Sequence, residues 1–349
     1  MIKVTIDGRI ATIPENMTIM EAARTVNVEI PSFCYDPELT TTGACRMCVV
    51  DVEGSRNLQM ACSTPVKPDM VVCTESDRIT RARRMNLELL LANHPQDCLT
   101  CAKAGECRLQ DYCHRYKVKE SRFKGEVKQY KIDKNNHLIE RDHNKCILCG
   151  KCVQVCHDIQ ITGAIDFTGR GFHTIATTPY NLPLDADICR FCGQCISICP
   201  TGALQNKQLL ESRTWELKKV RTTCPLCGTG CNFDLNIKDG HIVGVTPNPK
   251  APVNGRSLCV KGRFHSDLIY SPERITSPLI KENEVFFETS WEEALNLVVS
   301  SFREIIANDS SSAIAALSSA RCTNEENWLM QKFMRAVIGT NNVDHCART

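Results

Sequence analysis

Cys146-Ile-Leu-Cys149-Gly-Lys-Cys152-Val-Gln-Val-Cys156 is followed, 32 residues later, by Cys189-Arg-Phe-Cys192-Gly-Gln-Cys195-Ile-Ser-Ile-Cys199-Pro200. The same C-x2-C-x2-C-x3-C spacing occurs twice. It is the bacterial-type signature for four-iron cluster ligation, in which the fourth Cys of each run reaches the other cluster. This pairs Cys146, Cys149 and Cys152 with Cys199, and Cys189, Cys192 and Cys195 with Cys156. The first run carries His157 where the second has Pro200. Structural zinc also takes four thiolates in C-x2-C pairs. The doubled eight-Cys pattern suits two clusters better.

The rest of the chain repeats this economy of local Cys groups. Its 349 residues hold 23 Cys. Small modules of this kind lean on metal centres in place of large cores. Lys and Arg number 42 against 40 Asp and Glu, a net charge of +2. That balance points to neither a nucleic-acid nor a membrane partner. No run of 18 apolar residues is present, and the N-terminus has neither an apolar signal core nor a twin-arginine pair. A cytoplasmic location is therefore expected, where clustered Cys bind metal and do not form disulfides.

Before the paired runs, Ile2, Val4 and Ile6 alternate with polar residues and meet Asp7-Gly8, a hairpin signal. Thr18 and Glu21 form a capping box for a helix ending near Val26. Met47 to Val52 and Leu58 to Ala61 read as two further strands. Cys34, Cys45, Cys48 and Cys62 fall on this scaffold, enough for a two-iron cluster. Cys73 has no partner in the pattern and reads as a buried apolar thiol. Asp77 reads as the cap of a helix that ends at His94-Pro95. His94-x3-Cys98-x2-Cys101-x5-Cys107 follows, with Cys113 as a competing fourth ligand that the count alone does not decide. Seven cations between Arg115 and Lys131 face two carboxylates, a local +5. This reads as a solvated connector, with a docking face for an acidic electron carrier as the less favoured reading.

After the paired runs comes Cys224-Pro-Leu-Cys227-Gly-Thr-Gly-Cys231, with Cys259 27 residues beyond. Asp239-Gly240 marks a second hairpin between the strands around Phe233 and Val245. Ser290 and Glu293, then Thr323 and Glu326, form two capping boxes. They open helices to about Ile306 and to Ile338, the latter stopped by Gly339. Between them Ala313 to Ser318 reads as one buried strand, the start of an α/β domain.

Resemblance adds specific expectations. Ile30-Pro-Ser-Phe-Cys34-Tyr and Gly43-Ala-Cys45-Arg-Met-Cys48 resemble the N-terminal domain of the large iron–sulfur subunit of respiratory complex I. The His94 to Cys107 order is similar to the His-ligated four-iron module of complex I and of iron-only hydrogenases, which favours His94 over Cys113. A neutral imidazole in place of a thiolate would raise that centre's potential. The Cys224 to Cys259 frame resembles the cluster domain of molybdenum or tungsten bis-pterin oxidoreductases. By that match Lys261, in Cys259-Val-Lys261-Gly262, would relay electrons between pterin and cluster; the bland reading is a surface Lys.

Ser318-Ser-Ala-Arg-Cys-Thr-Asn-Glu-Glu-Asn327 and Val337-Ile-Gly-Thr-Asn-Asn-Val-Asp-His-Cys-Ala-Arg348 resemble formate dehydrogenase catalytic subunits. There the next residue but one after Ala-Arg is the metal-ligating Cys or selenocysteine. Here that is position 350, one beyond Thr349. The expectation is a translation stopped at a selenocysteine codon, with a real truncation that leaves only a wire of clusters as the alternative; either way no catalytic residue lies in these residues and no formate turnover by this chain alone is expected.

The expected fold class is α+β and multi-module. It comprises a β-grasp 2Fe-2S domain (1–76), a helical His/Cys3 4Fe-4S module (77–131), a two-cluster ferredoxin-like domain (132–216), a small β-rich 4Fe-4S domain (217–275) and the start of an α/β molybdopterin-binding domain (276–349). Nineteen Cys and His94 would hold one 2Fe-2S and four 4Fe-4S clusters. Cys73, Cys113, Cys322 and Cys346 are left over. The resemblance implies electrons passing from formate, at a molybdenum or tungsten bis(pterin guanine dinucleotide), to partners. These are a flavin- and NAD(P)-binding diaphorase-type subunit, a small 2Fe-2S subunit and possible ferredoxin. No glycine-rich phosphate loop is present, so nucleotide binding falls to those partners. The large subunit of an NADH:quinone oxidoreductase and a zinc-bound scaffold are the alternatives.

Overall fold

The computed structural model describes residues 1–185 and 187–346. They form two compact units, Met1–Lys218 and Lys219–Thr349.

The first unit opens with the expected hairpin, β1 (Ile2–Ile6) and β2 (Arg9–Ile13). Asp7 and Gly8 both take left-handed φ, at 46° and 76°. That pair of angles matches the twist of the flanking strands. Helix α1 (Ile19–Thr25) starts at the capping box, with Thr18 N–H donating to Glu21 Oε2 at 2.7 Å. β3 (Val49–Val52) and β4 (Gln59–Met60) follow. β3 starts two residues later than expected, because Arg46 turns left-handed (φ 55°) and Cys45 to Cys48 form a loop.

The hairpin and two strands fall one short. β5 (Met70–Cys73) lies at the centre of a five-stranded sheet ordered β2-β1-β5-β3-β4, parallel to β1 and antiparallel to β3. Val4, Ile6, Ile13, Ile19, Met20, Val50 and Val72 fill the core beneath it. Cys73 is a correction: it is exposed, with its thiol donating to Glu75 O at 3.1 Å. As the last residue of β5, it points away from the face that buries Val72.

α2 (Asp77–Leu91) is capped by Ser76, not Asp77. Ser76 keeps an extended backbone, and its Oγ accepts from Ile79 N–H at 3.2 Å. The helix stops three residues before His94, which leaves His94 on irregular chain. α3 (Arg108–Arg115) begins just after Cys107. β6 (Ile139–Arg141) and β9 (Leu204–Asn206) pair antiparallel and bracket the paired Cys runs. Between them lie α4 (Lys151–Gln154), the short hairpin β7 (Asp166–Thr168) with β8 (Ile175–Thr177), and α5 (Gln194–Ile198). The insert's end, Ala186, lies outside the described residues.

The second unit has a three-stranded sheet, β10 (Lys218–Thr223), β11 (Asn232–Lys238) and β12 (His241–Pro247). The β11–β12 turn is Asp239-Gly240, again left-handed at both positions. α6 (Val260–Phe264) follows Cys259. An unexpected hairpin, β13 (Leu279–Glu282) and β14 (Val285–Glu288), precedes α7 (Trp291–Asn308). β15 (Ala316–Ser318), α8 (Asn324–Lys332) with a continuing turn to Ile338, and β16 (Val343–His345) complete it.

Two expectations here are corrected. The strand is shorter than Ala313 to Ser318 and is not buried; Leu317 is 82% exposed. It is also not alone, because β16 pairs with it in parallel. Neither α7 nor α8 buries a residue, and Trp291, Leu295 and Trp328 lie exposed. Residues 347–349, the end of the formate dehydrogenase-like segment, lie outside the described residues.

Candidate iron–sulfur centres

The paired runs fold as structural repeats. Leu148 and Phe191 take φ of 51° and 50°, and Gly150 and Gly193 take 77° and 66°. Each left-handed pair curls the C-x2-C-G segment so that its N–H groups face sulfur. Leu148 N–H donates to Cys146 Sγ at 3.4 Å, and Phe191 N–H to Cys189 Sγ at 3.3 Å. Ala164 N–H donates to Cys156 Sγ at 3.2 Å. Short helices α4 and α5 then carry the third Cys of each run inward.

The tertiary fold crosses the runs. One cavity of about 30 Å³ is lined by Cys146, Cys149, Cys152 and Cys199, with Ile147, Ala176 and Leu204. A second, of about 20 Å³, is lined by Cys156, Cys189, Cys192 and Cys195. Burial pushes the thiols up, Cys146 to about 11 and Cys149 to about 12. Without a cation these sulfurs stay protonated; a bound metal supplies the charge that deprotonates them. Among the described residues no three or more of His, Cys, Asp and Glu converge to hold a single metal ion. The thiols are spread around voids instead.

The N-terminal four are packed more tightly. Cys34 and Cys45 sulfurs lie 3.3 Å apart, and Phe33 N–H donates to Cys45 Sγ at 3.3 Å. Cys62 is within hydrogen-bond reach of both Cys34 and Cys48. The neighbouring thiols of Cys45 and Cys62 hold Cys34 down to about 2, and that of Cys62 holds Cys48 down to about 7. Cys45 is pushed up by Cys34, and Cys62 by Cys34 and Cys48. Four sulfurs gathered in one pocket form a donor set for iron.

At the next site, His94 Nδ1 lies 2.8 Å from Pro95 O. Nε2 is buried and has no hydrogen-bond partner among the described residues. Burial also lowers the His94 pKa, which keeps the ring neutral. A neutral imidazole with a buried bare nitrogen is the donor a metal centre needs. Cys101 and Cys107 are buried and Cys98 is exposed. Gly202 crosses so close that a Cβ there would sit 2.9 Å from Cys101 Sγ. Arg213 ties down the loop through Leu99 O and Cys101 O, at 3.1 and 2.6 Å. Cys113 packs in the adjacent apolar core, its thiol raised to about 11 by burial. That same core contains Cys34, Cys107 and Cys149, with Cys45 packed against it. Three of the Cys groups thus share one apolar medium.

In the second unit, Cys224, Phe233, Val245 and Leu258 form a small core with Cys231 packed on it. Cys224 N–H donates to Cys231 O at 2.7 Å. Cys227 is exposed, and its sulfur lies 3.3 Å from Thr229 Oγ1. Thr229, mainly through its side chain, lowers the Cys227 thiol, with smaller help from Arg321 and Lys261. Cys259 caps α6, and Lys261 stands exposed in its first turn. Gly228 N–H donates to Ala320 O at 2.8 Å, which brings Arg321 to this loop. Arg83, Gly202 and Arg321 were not singled out by the sequence, because no spacing rule marks a residue that meets a Cys loop from a distant segment.

Family comparison follows the same order along the chain. Residues 1–77 match a 2Fe-2S iron-sulfur cluster binding domain. Residues 83–122 match the NADH-ubiquinone oxidoreductase-G iron-sulfur binding region, and 145–203 a 4Fe-4S dicluster domain. Residues 217–271 match the molybdopterin oxidoreductase Fe4S4 domain, and 274–349 the molybdopterin oxidoreductase family. The chain is 38% identical over 349 residues to the NADPH-Fe(3+) oxidoreductase subunit alpha of Geobacter sulfurreducens, covering all of this chain and 40% of that protein. It is 38% identical over 351 residues to an NADH-quinone oxidoreductase subunit of Rhizobium meliloti, covering 100% and 40%. A Staphylococcus aureus protein with the provisional name of a formate dehydrogenase is 30% identical over 385 residues, covering 99% and 39%. A solved chain of an NAD+-reducing NiFe-hydrogenase in the H2-reduced state is 31% identical with a TM-score of 0.54, covering 59% of this chain and 87% of that one. The chain therefore spans about 40% of the length of these curated relatives. Module by module, the chain is similar to iron–sulfur cluster-binding domains, including that of NADH-ubiquinone oxidoreductase-G, over residues 1–203, and to molybdopterin oxidoreductases over residues 217–349.

Proposed function

We propose that this chain is the electron relay of a formate dehydrogenase, reversible between formate and carbon dioxide. The observation that carries the relay is the shared apolar core that joins Cys34, Cys107 and Cys149. Cys34, Cys45, Cys48 and Cys62 are assigned to a 2Fe-2S cluster. Four 4Fe-4S clusters are assigned to His94/Cys98/Cys101/Cys107, to Cys146/Cys149/Cys152/Cys199, to Cys189/Cys192/Cys195/Cys156 and to Cys224/Cys227/Cys231/Cys259. Bound there, the clusters would supply one-electron relay between neighbouring sites. The residues orient the ligands, donate N–H groups to sulfur and keep water from it. Lys261, exposed beside Cys259, is assigned to the electron path on the side of a molybdenum- or tungsten-bis(pterin guanine dinucleotide). The modules keep the boundaries 1–76, 77–131, 132–216, 217–275 and 276–349, the first as a β-grasp domain and the third as ferredoxin-like.

Formate as substrate is supported by the segments Ser318 to Asn327 and Val337 to Arg348, and by the 30% identity to the provisionally named formate dehydrogenase. The partners in this reading are a diaphorase-type flavin subunit for NAD(P), a small 2Fe-2S subunit and ferredoxin, all in the cytoplasm. No helix among the described residues is long and apolar enough to cross a membrane. A second reading is favoured by the higher identity, 38%, to the nicotinamide-linked relatives: the same relay serving an NAD(P)H oxidoreductase with no formate chemistry.

Two measurements test this. Iron analysis is expected to give about 18 iron per chain, from one two-iron and four four-iron centres; zinc in their place removes the reading. In the native holoenzyme, formate is expected to reduce the clusters under anaerobic conditions. Reduction by NADPH or NADH but not by formate would leave the second reading standing. The 349 residues by themselves are expected to show no dye-linked formate turnover.

A further inference from the structure

Arg83 is fully buried on α2, and all its donors are spent around one Cys loop. Nε donates to Met47 O at 3.1 Å. Nη2 donates to Val49 O and Thr74 O, both at 3.0 Å. Nη1 donates to Tyr116 Oη at 2.9 Å and to Glu75 Oε1 at 2.8 Å. The two carbonyls of Met47 and Val49 flank Cys48. In a trans peptide C=O and N–H point opposite ways. Holding Met47 O therefore aims the Cys48 N–H away from the guanidinium.

Joining a helix to a strand does not require a buried cation. Replacing a buried ion pair by apolar groups is often neutral or stabilising. Glu75, the one carboxylate paired with Arg83 among the described residues, is half exposed and shared with Arg115 at 3.2 Å. Its charge is screened by water on one side, whereas that of Arg83 is not. The buried guanidinium thus lies against the backbone on both sides of Cys48.

We propose that Arg83 is a positioning residue that raises the reduction potential of the cluster on Cys34, Cys45, Cys48 and Cys62, by placing a buried cation and an oriented peptide beside Cys48. This rests on reading those four Cys as the ligands of a 2Fe-2S cluster. Reduction adds a negative charge to the site, and a nearby buried cation favours that state.

The test is a redox titration of the two-iron paramagnetic resonance signal in the iron-loaded 349-residue chain, with Tm measured alongside. Arg83→Met is expected to lower the equilibrium constant for reducing that centre at least tenfold, about 59 mV for one electron. The four-iron signals should keep their midpoints. Arg83→Lys keeps the charge but loses the fork; it should lower Tm while retaining most of the wild-type potential. Glu75→Gln removes the opposing carboxylate and should shift the midpoint upward, which decides the matter should Arg83→Met not fold. An unchanged midpoint in Arg83→Met or in Glu75→Gln overturns the proposal. So does an Arg83→Lys shift as large as that of Arg83→Met, which would leave only packing. Absence of a two-iron signal in the unmutated chain would instead overturn the ligand assignment beneath it.

Discussion

His94 shows how one side chain can announce a ligand role. A buried imidazole nitrogen with no partner costs free energy that an ordinary core His avoids. Its partner Nδ1 is already engaged by Pro95 O, so the ring is held in one orientation. Replacing His94 by Ala is expected to remove one four-iron centre, about 4 of about 18 iron. His94→Cys should keep the iron and lower that centre's midpoint, because a thiolate adds negative charge. Cys113→Ser should leave the iron count unchanged. Iron analysis with paramagnetic resonance reads all three, and a loss of four iron in Cys113→Ser would transfer the ligand role to Cys113. The His-x3-Cys-x2-Cys order is legible in the sequence. The bare nitrogen is not, because it depends on what the fold places around it.

At the level of the element, the β6–β9 pair is the clasp of the paired Cys runs, and an ion pair fastens it. Arg141, 4% exposed in its side chain, grips Asp133 through Nε at 2.8 Å and Nη2 at 2.5 Å. Burial alone would raise the Asp133 carboxyl, but the Asn135 N–H and the Arg141 guanidinium outweigh it and hold the pKa below the usual value. A carboxylate lowered on folding adds stability above its unfolded pKa of about 3.9, and that stability is lost as pH falls through the lowered value. Asp133→Asn leaves Arg141 buried without its counter-charge and is expected to cost about 3 kcal/mol at pH 7. The cost should begin to shrink below about pH 4, where the unfolded chain takes up its proton first, and should vanish only below the lowered native value. Urea unfolding of the iron-loaded chain at pH 7 measures the cost; an unchanged stability in Asp133→Asn would refute the assignment. The three capping boxes and both Asp-Gly hairpins were legible, since their signals lie within four residues of chain. β5 and β16 were not. Each is a short strand added in parallel across a long crossover, so its place depends on a partner strand far away in sequence.

For the whole molecule, stability is unevenly supported. The five-stranded sheet has its own apolar core of sixteen buried residues, of which only Cys48 and Cys62 are candidate ligands. The core shared by Phe33, Leu87 and Tyr112 counts Cys34, Cys107 and Cys149 among its members. Where sulfur lines the core, the metal it binds is part of the folding free energy. Extracting iron with a chelator under reducing conditions is expected to free the amides of 139–206 to hydrogen exchange while those of β1, β2 and β5 stay protected. Equal loss of protection in both regions would show that the sheet depends on the metal as well. In the second unit, the exposed apolar faces of α7 and α8 belong to the kind of surface that another polypeptide segment covers.

Cys spacing, caps and turn residues determined, without any tertiary information, that this chain mixes short helices and strands around local groups of Cys. Those signals are local: a ligand loop, a helix start and a two-residue turn each complete their chemistry within a few residues. Tertiary structure alone decided that β5 fills the centre of the first sheet and that Cys73 is exposed. It also bared a buried nitrogen on His94 and set the guanidinium of Arg83 against the Cys48 loop. Each of these depends on a segment distant in the chain, and burial and charge act through space with no regard for sequence separation.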